Sequence, residues 1–158
     1  MADVPTLGQR GGGWVALQSV LVAVIVVLGV AGPAWPSAAH WPLKVVGVLL
    51  TVAGAVVMVL AARALGSGFT PFPRPRDPGR LVDTGPYAVV RHPVYTGGIL
   101  LFTGISLELS PWALVGTGAL AVLWALKARL EERLLAARYP AYAEYRARTP
   151  YRLVPFIY

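Results

Sequence analysis

The sequence contains no cysteine and only two histidines, His40 and His92. Without cysteine there is no disulfide framework, and the redox compartment is left open. Structural zinc and iron sites draw on clusters of Cys and His, so this composition argues against them, and no metal is expected. Charge is scarce as well: 13% of the 158 residues are charged and 56% are hydrophobic, with a mean hydropathy of +0.62. A soluble domain is ordinarily about a quarter charged, so an aqueous fold is excluded and a membrane protein is indicated. No stretch repeats at a fixed period, and neither a phosphate-cradling loop nor a nucleophile elbow occurs. One domain over residues 1–158 is expected.

What is present is a series of apolar runs. Residues 14–31 carry no charge and reach about 27 Å as a helix, close to the hydrocarbon thickness. The run is long for a signal peptide, so it reads as a retained helix, although Ser37-Ala38-Ala39 loosely resembles a cleavage site. Residues 43–65 have Lys44 and Arg63 near their ends, where long side chains extend to the interface. Residues 94–109 and 111–126 are separated by Ser110, a natural N-cap ahead of Pro111 at a first helical position. They read as a tight helical hairpin. The expected fold is all-α and polytopic, with about four transmembrane helices joined by close glycine-mediated packing.

Of the 14 Lys and Arg residues, only Lys44 falls beside the first interhelical connection. The positive-inside rule then puts both termini and residues 66–93 and 127–158 in the cytoplasm, in a multi-pass cell-membrane protein. The isoelectric point near 10.3 reflects arginines in membrane-flanking segments, and no nucleic-acid motif accompanies them. Arg74, Arg76 and Arg80 read as a basic linker facing the membrane. The hexapeptide from Gly116 to Ala121 matches a dinucleotide fingerprint only on paper, since it lies inside an apolar helix with no strand before it. Glu108, the one acidic residue within a crossing, is expected at the outer end near the hairpin turn, with a polar contact to the first loop available to it.

Two stretches hold the remaining chemistry. Residues 66–93 are too rich in proline and glycine for a regular element and should form an ordered loop, ending in a GPYAVV turn and Arg91-His92-Pro93. Free N–H groups at the start of the third helix would favour an anion there. Taken singly, His92 reads as a capping histidine and Tyr87 and Tyr95 as an aromatic belt. In residues 127–158, Glu131 and Glu132 form the only acidic pair, balanced at helical spacings by Lys127, Arg129 and Arg133.

Taken together, GPYxxxRHPxYxG followed after one hairpin by EExxL, YxxYxxY and a basic segment resembles the isoprenylcysteine carboxyl methyltransferases and their phospholipid methyltransferase relatives. The resemblance covers residues 69–155. It implies an integral membrane enzyme that uses S-adenosylmethionine and releases S-adenosylhomocysteine. By matching position, Arg80, Leu81, Val82 and Tyr87 would line the cofactor pocket, His92, Pro93, Val94 and Tyr95 would form its central turn, and Glu131 would close it. Arg91 could join them or hold the loop. In the carboxyl methyltransferases an arginine resembling a substrate contact stands four residues before the first glutamate. Here that position is Lys127, which loses the two-point grip on a carboxylate. Lys127 and Glu132 are the expected acceptor contacts, with His92 or Glu132 available as a base and no catalytic residue assigned. Pro140 also departs from the usual glycine and implies a different helix break.

The expected activity is methyl transfer from S-adenosylmethionine to a lipid-like or other apolar acceptor arriving from the bilayer. An NADPH-dependent reductase of the sterol type and a non-catalytic membrane binding protein are the alternatives. NADPH would call for more fixed cations than RHPVY supplies.

Overall fold

The computed structural model of the chain describes residues 5–8, 10–74, 80–155 and 157; Arg76 lies outside them. Five α-helices follow one another: α1 (Gly12–Ala31), α2 (Ser37–Leu65), α3 (Pro93–Leu109), α4 (Pro111–Arg138) and α5 (Tyr142–Arg148). Short 3-10 turns occupy Gly66–Gly68 and Gly85–Ala88, and the described residues contain no strand. Helices α1, α2 and α4 are long and apolar enough to cross a membrane, and α3 is a shorter apolar helix. Their outward faces are apolar, with Val30, Leu49 and Val115 each well over half exposed. In water such a surface would drive association, whereas in lipid it is the ordinary exterior of a polytopic all-α protein.

The helices pack in the order α2, α3, α4, α1, with α1 also touching α3. Ser110 divides the hairpin as its spacing predicts: its Oγ accepts the Trp112 N–H at 3.3 Å, and Pro111 opens α4. At two boundaries a helix outruns its apolar run. Helix α2 begins at Ser37, six residues ahead of the apolar run, and continues through Pro42. Pro42 is the sixth residue of α2 and offers no N–H to the carbonyl four residues back, a loss confined to the second turn. Helix α4 continues about three turns past Leu126 to Arg138, carrying Lys127, Glu131 and Glu132 beyond the apolar run. Glu108 also differs in its partner, because it accepts a hydrogen bond from Thr51 of α2 at 2.9 Å rather than meeting the first loop.

The α2–α3 contact is a backbone-to-backbone seam. Gly47 and Gly54 on α2 face Gly104 and Gly97 on the antiparallel α3, each pair seven residues apart. A Cβ added at Gly54 would lie 2.4 Å from the Leu101 nitrogen and 2.5 Å from the Gly97 oxygen; one at Gly104 would lie 2.5 Å from the Gly47 oxygen. Backbone atoms cannot rotate away as a side chain can, so the helices would have to separate. With no hydrophobic effect to press helices together in lipid, this close dispersion contact holds α3 against α2.

Gly54→Ala and Gly104→Ala should each cost about 1–3 kcal/mol through overpacking. Gly118→Ala, where nothing lies within 4 Å of the added methyl, should leave stability unchanged or slightly higher. Thermal unfolding in one detergent compares the three variants, and equal melting temperatures would refute the seam.

Candidate functional site

The polar residues of this chain converge where α3 begins and α4 leaves the apolar zone. Their centre is Glu132, which is 6% exposed. Its carboxylate accepts from Arg91 Nε at 2.8 Å and from Arg152 Nε and Nη2 at 3.0 and 2.9 Å. A buried carboxylate is strongly unfavourable alone and is retained here by two guanidinium groups. The same Arg91 donates through Nη1 to the carbonyls of Thr149 and Pro150. The tail is also joined to α3 by its backbone: the Arg91 and His92 N–H groups donate to the Tyr151 and Arg152 carbonyls, both at 3.0 Å, and Thr96 Oγ1 donates to Leu153 at 2.6 Å. The Arg91 and His92 amides ahead of α3 are therefore taken by the chain itself, and Arg91 binds the tail.

Adjacent residues on a helix point about 100° apart, so Glu131 faces a different direction from Glu132. Glu131 is partly exposed and accepts a hydrogen bond from the Tyr95 hydroxyl. His92 stands between the two carboxylates, with Nδ1 3.3 Å from Glu131 and Nε2 3.4 Å from Glu132, the latter without hydrogen-bond alignment. Burial disfavours the imidazolium, but the two carboxylates outweigh it and raise the His92 pKa above its ordinary value. Three rings stack from this point into the bundle: His92 on Tyr95 at 5.7 Å and Tyr95 on Trp124 at 5.5 Å. Gly98 makes room for the stack, since a Cβ there would strike the Trp124 ring at 2.5 Å.

A pocket of about 900 Å³, open mouth included, lies beside this stack. Arg80, Leu81, Val82, Tyr87, Arg91, His92, Val94, Tyr95 and Glu131 line it. Pro93 is buried at the head of α3 outside the lining, and Lys127 and Glu132 are buried behind it. The remaining wall comes from residues that the sequence did not single out: Leu65, Phe69, Thr70, Phe72 and Pro73 on one side, Leu135, Tyr139 and Tyr145 on the other. The Tyr139-Tyr142-Tyr145 spacing was the available signal for the second group. Tyr145 donates its hydroxyl to the Tyr87 carbonyl at 2.8 Å, which fixes the GPYA turn against α5. Burial, then Tyr145 and Glu131, push the Tyr87 phenol up, so it stays neutral through the physiological range.

Two outcomes follow from the ionic cluster. Glu132→Ala leaves two guanidiniums facing an apolar gap and should cost about 3–5 kcal/mol, read as a lower melting temperature and faster proteolytic cleavage after residue 148. His92 gains its partners on folding, so its contribution is complete below about 6.5, the unfolded value, and is lost as pH rises through the higher folded value. Thermal stability should therefore decline as the pH rises above about 6.5, and His92→Gln should flatten that decline.

The sequence matches the family model described as phospholipid methyltransferase over residues 43–142. It is 30% identical over 145 residues to the nickel-cobalt-cadmium resistance protein NccN of Alcaligenes xylosoxydans xylosoxydans, an overlap of 90% of this chain and 63% of that protein. It is 36% identical over 77 residues to the cobalt-zinc-cadmium resistance protein CzcN of Cupriavidus metallidurans, covering 48% of this chain and 36% of that protein. The chain thus spans less than two thirds of the length of either relative. The family match runs from α2 through α4, includes every site residue expected from the sequence, and places the chain in the phospholipid methyltransferase family, membrane methyltransferases that include the isoprenylcysteine carboxyl methyltransferase-like proteins.

Proposed function

We propose that this chain is an integral membrane methyltransferase that transfers a methyl group from S-adenosylmethionine to a lipid-like or other apolar small molecule. The observation that carries this reading is Glu131, a partly exposed carboxylate facing a pocket walled by Tyr87, Tyr95, Tyr139 and Tyr145 at one end of an apolar bundle. A carboxylate surrounded by aromatic faces suits a weakly hydrated cation, which describes a sulfonium. S-adenosylmethionine supplies an electrophilic methyl group whose departure turns the sulfonium into a neutral thioether.

In this reading Glu131 holds the cationic end, with Tyr95 and His92 fixing the carboxylate from behind. Leu81, Val82 and Val94 offer apolar faces, and exposed Arg80 at the rim is the cation placed for a carboxylate. Aligning the acceptor and excluding water supply most of what an in-line transfer needs. A carboxylate acceptor requires no base, whereas an amine or hydroxyl must release a proton, and His92 and Glu131 are the lining groups able to pass one on. The segments that build the pocket carry most of the arginines, which supports a cytoplasmic site and cytoplasmic termini in a multi-pass cell-membrane protein. NADPH suits this lining poorly: its arginines are Arg80 and Arg91, and Arg91 is already bound to Glu132 and two carbonyls.

Calorimetric titration of the detergent-purified protein with S-adenosylmethionine, S-adenosylhomocysteine and NADPH tests the proposal. Both adenosyl ligands should bind, Glu131→Ala should weaken S-adenosylmethionine at least tenfold, and Tyr95→Phe should weaken it less, since loss of a charged partner outweighs loss of one hydroxyl. Binding of NADPH alone would favour the reductase, and binding of none of the three would favour a non-catalytic protein.

A further inference from the structure

Lys127 is 1% exposed, on the part of α4 that turns towards α1 and the segment after α2. An ammonium has three N–H donors, and two of them have acceptors here. One goes to the Pro71 carbonyl at 2.6 Å and one to Gln18 Oε1 of α1 at 3.2 Å, while the nitrogen also lies 5.4 Å from the centre of the Tyr95 ring. Gln18 is held in turn by the Trp124 indole N–H at 2.8 Å. The segment receiving the first bond, residues 69–73, contributes Phe69, Thr70, Phe72 and Pro73 to the pocket wall. Phe69 and Phe72 are 42% and 38% exposed, so apolar burial does little to hold them. At the far side Pro73 packs against Gly11, where an added Cβ would lie 2.3 Å from the proline ring.

We infer that Lys127 is a positioning residue that tethers the 69–73 strap through the Pro71 carbonyl and so sets one wall of the pocket. Its charge is spent on that bond and on Gln18, so it is withheld from any anionic group of an acceptor. The tether joins the strap to the same Tyr95–Trp124 stack that abuts Glu131, and the two walls of the pocket are thereby registered against each other. A methionine of similar length would fill the space and leave the Pro71 carbonyl without its charged donor. The consequence for ligand retention rests on the methyl-donor reading, whereas the tether itself does not.

The absence of cysteine allows clean placement of a spin label on Phe72→Cys and, as an untethered reference, on Ser67→Cys, both recorded without ligand. The label at 72 should be immobilised despite its exposure and the label at 67 mobile. Lys127→Met should release the label at 72 and leave that at 67 unchanged, and Lys127→Arg, which keeps a charged donor, should restore part of the order. S-adenosylhomocysteine should leave the Lys127→Met protein about tenfold faster than wild type, matching loss of one charge-assisted hydrogen bond. A label at 72 already mobile in the wild-type background overturns the tether even if Lys127→Met fails to fold. An ordered label at 72 in Lys127→Met does the same. An ordered wild-type strap together with no adenosyl binding would refute the methyl-donor reading and leave the tether standing.

Discussion

The polar residues at the head of α3 and in the tail are arranged around one buried carboxylate. Glu132 sits where the apolar bundle gives way to polar chain, and a lone charge there would be intolerable. Arg91 and Arg152 satisfy it from two directions, one at the head of α3 and one in the tail after α5. Because Arg91 also grips the Thr149 and Pro150 carbonyls, neutralising Glu132 brings three distant parts of the chain to one point. The neighbouring Glu131 is then spared a structural duty. One acidic pair at consecutive positions thus divides into a carboxylate that holds the protein together and one that can face a ligand, with His92 between them.

That division shows where sequence reasoning reaches and where it stops. The apolar runs, the Ser110-Pro111 break and the absence of charge made the helical membrane fold legible, because lipid demands satisfied backbones and apolar surfaces. Helix α2 starts ahead of its apolar run because hydropathy reports lipid contact, while the helix itself includes a less apolar turn containing Pro42. Half of the pocket lining was legible, through the family resemblance carried by the motif at residues 85–97 and by the glutamate pair on α4. The Glu132–Arg152 pair was not, since nothing in a twenty-residue separation distinguishes Arg152 from the other arginines of the tail. The Lys127–Pro71 bond was equally hidden: its acceptor is a backbone carbonyl, which every residue carries.

The bundle and the pocket depend on different physics. In the glycine seam, contact is close because side chains are absent, and dispersion acts there beside the single Thr51–Glu108 hydrogen bond described above. A few turns away the Trp124, Tyr95 and His92 rings stand in a row, joining that rigid bundle to groups that titrate. Gly98 belongs to both regimes, since its bare backbone admits the Trp124 ring.

The tail contacts also impose an order on assembly. Ribosomal synthesis proceeds from the N-terminus, so residues 149–153 emerge after all four apolar helices. Until they do, the Arg91 guanidinium has Glu132 but not the Thr149 and Pro150 carbonyls, and the Arg91 and His92 amides lack the Tyr151 and Arg152 oxygens they bind in the finished fold. Closure of the site is therefore a long-range docking of the tail onto the head of α3.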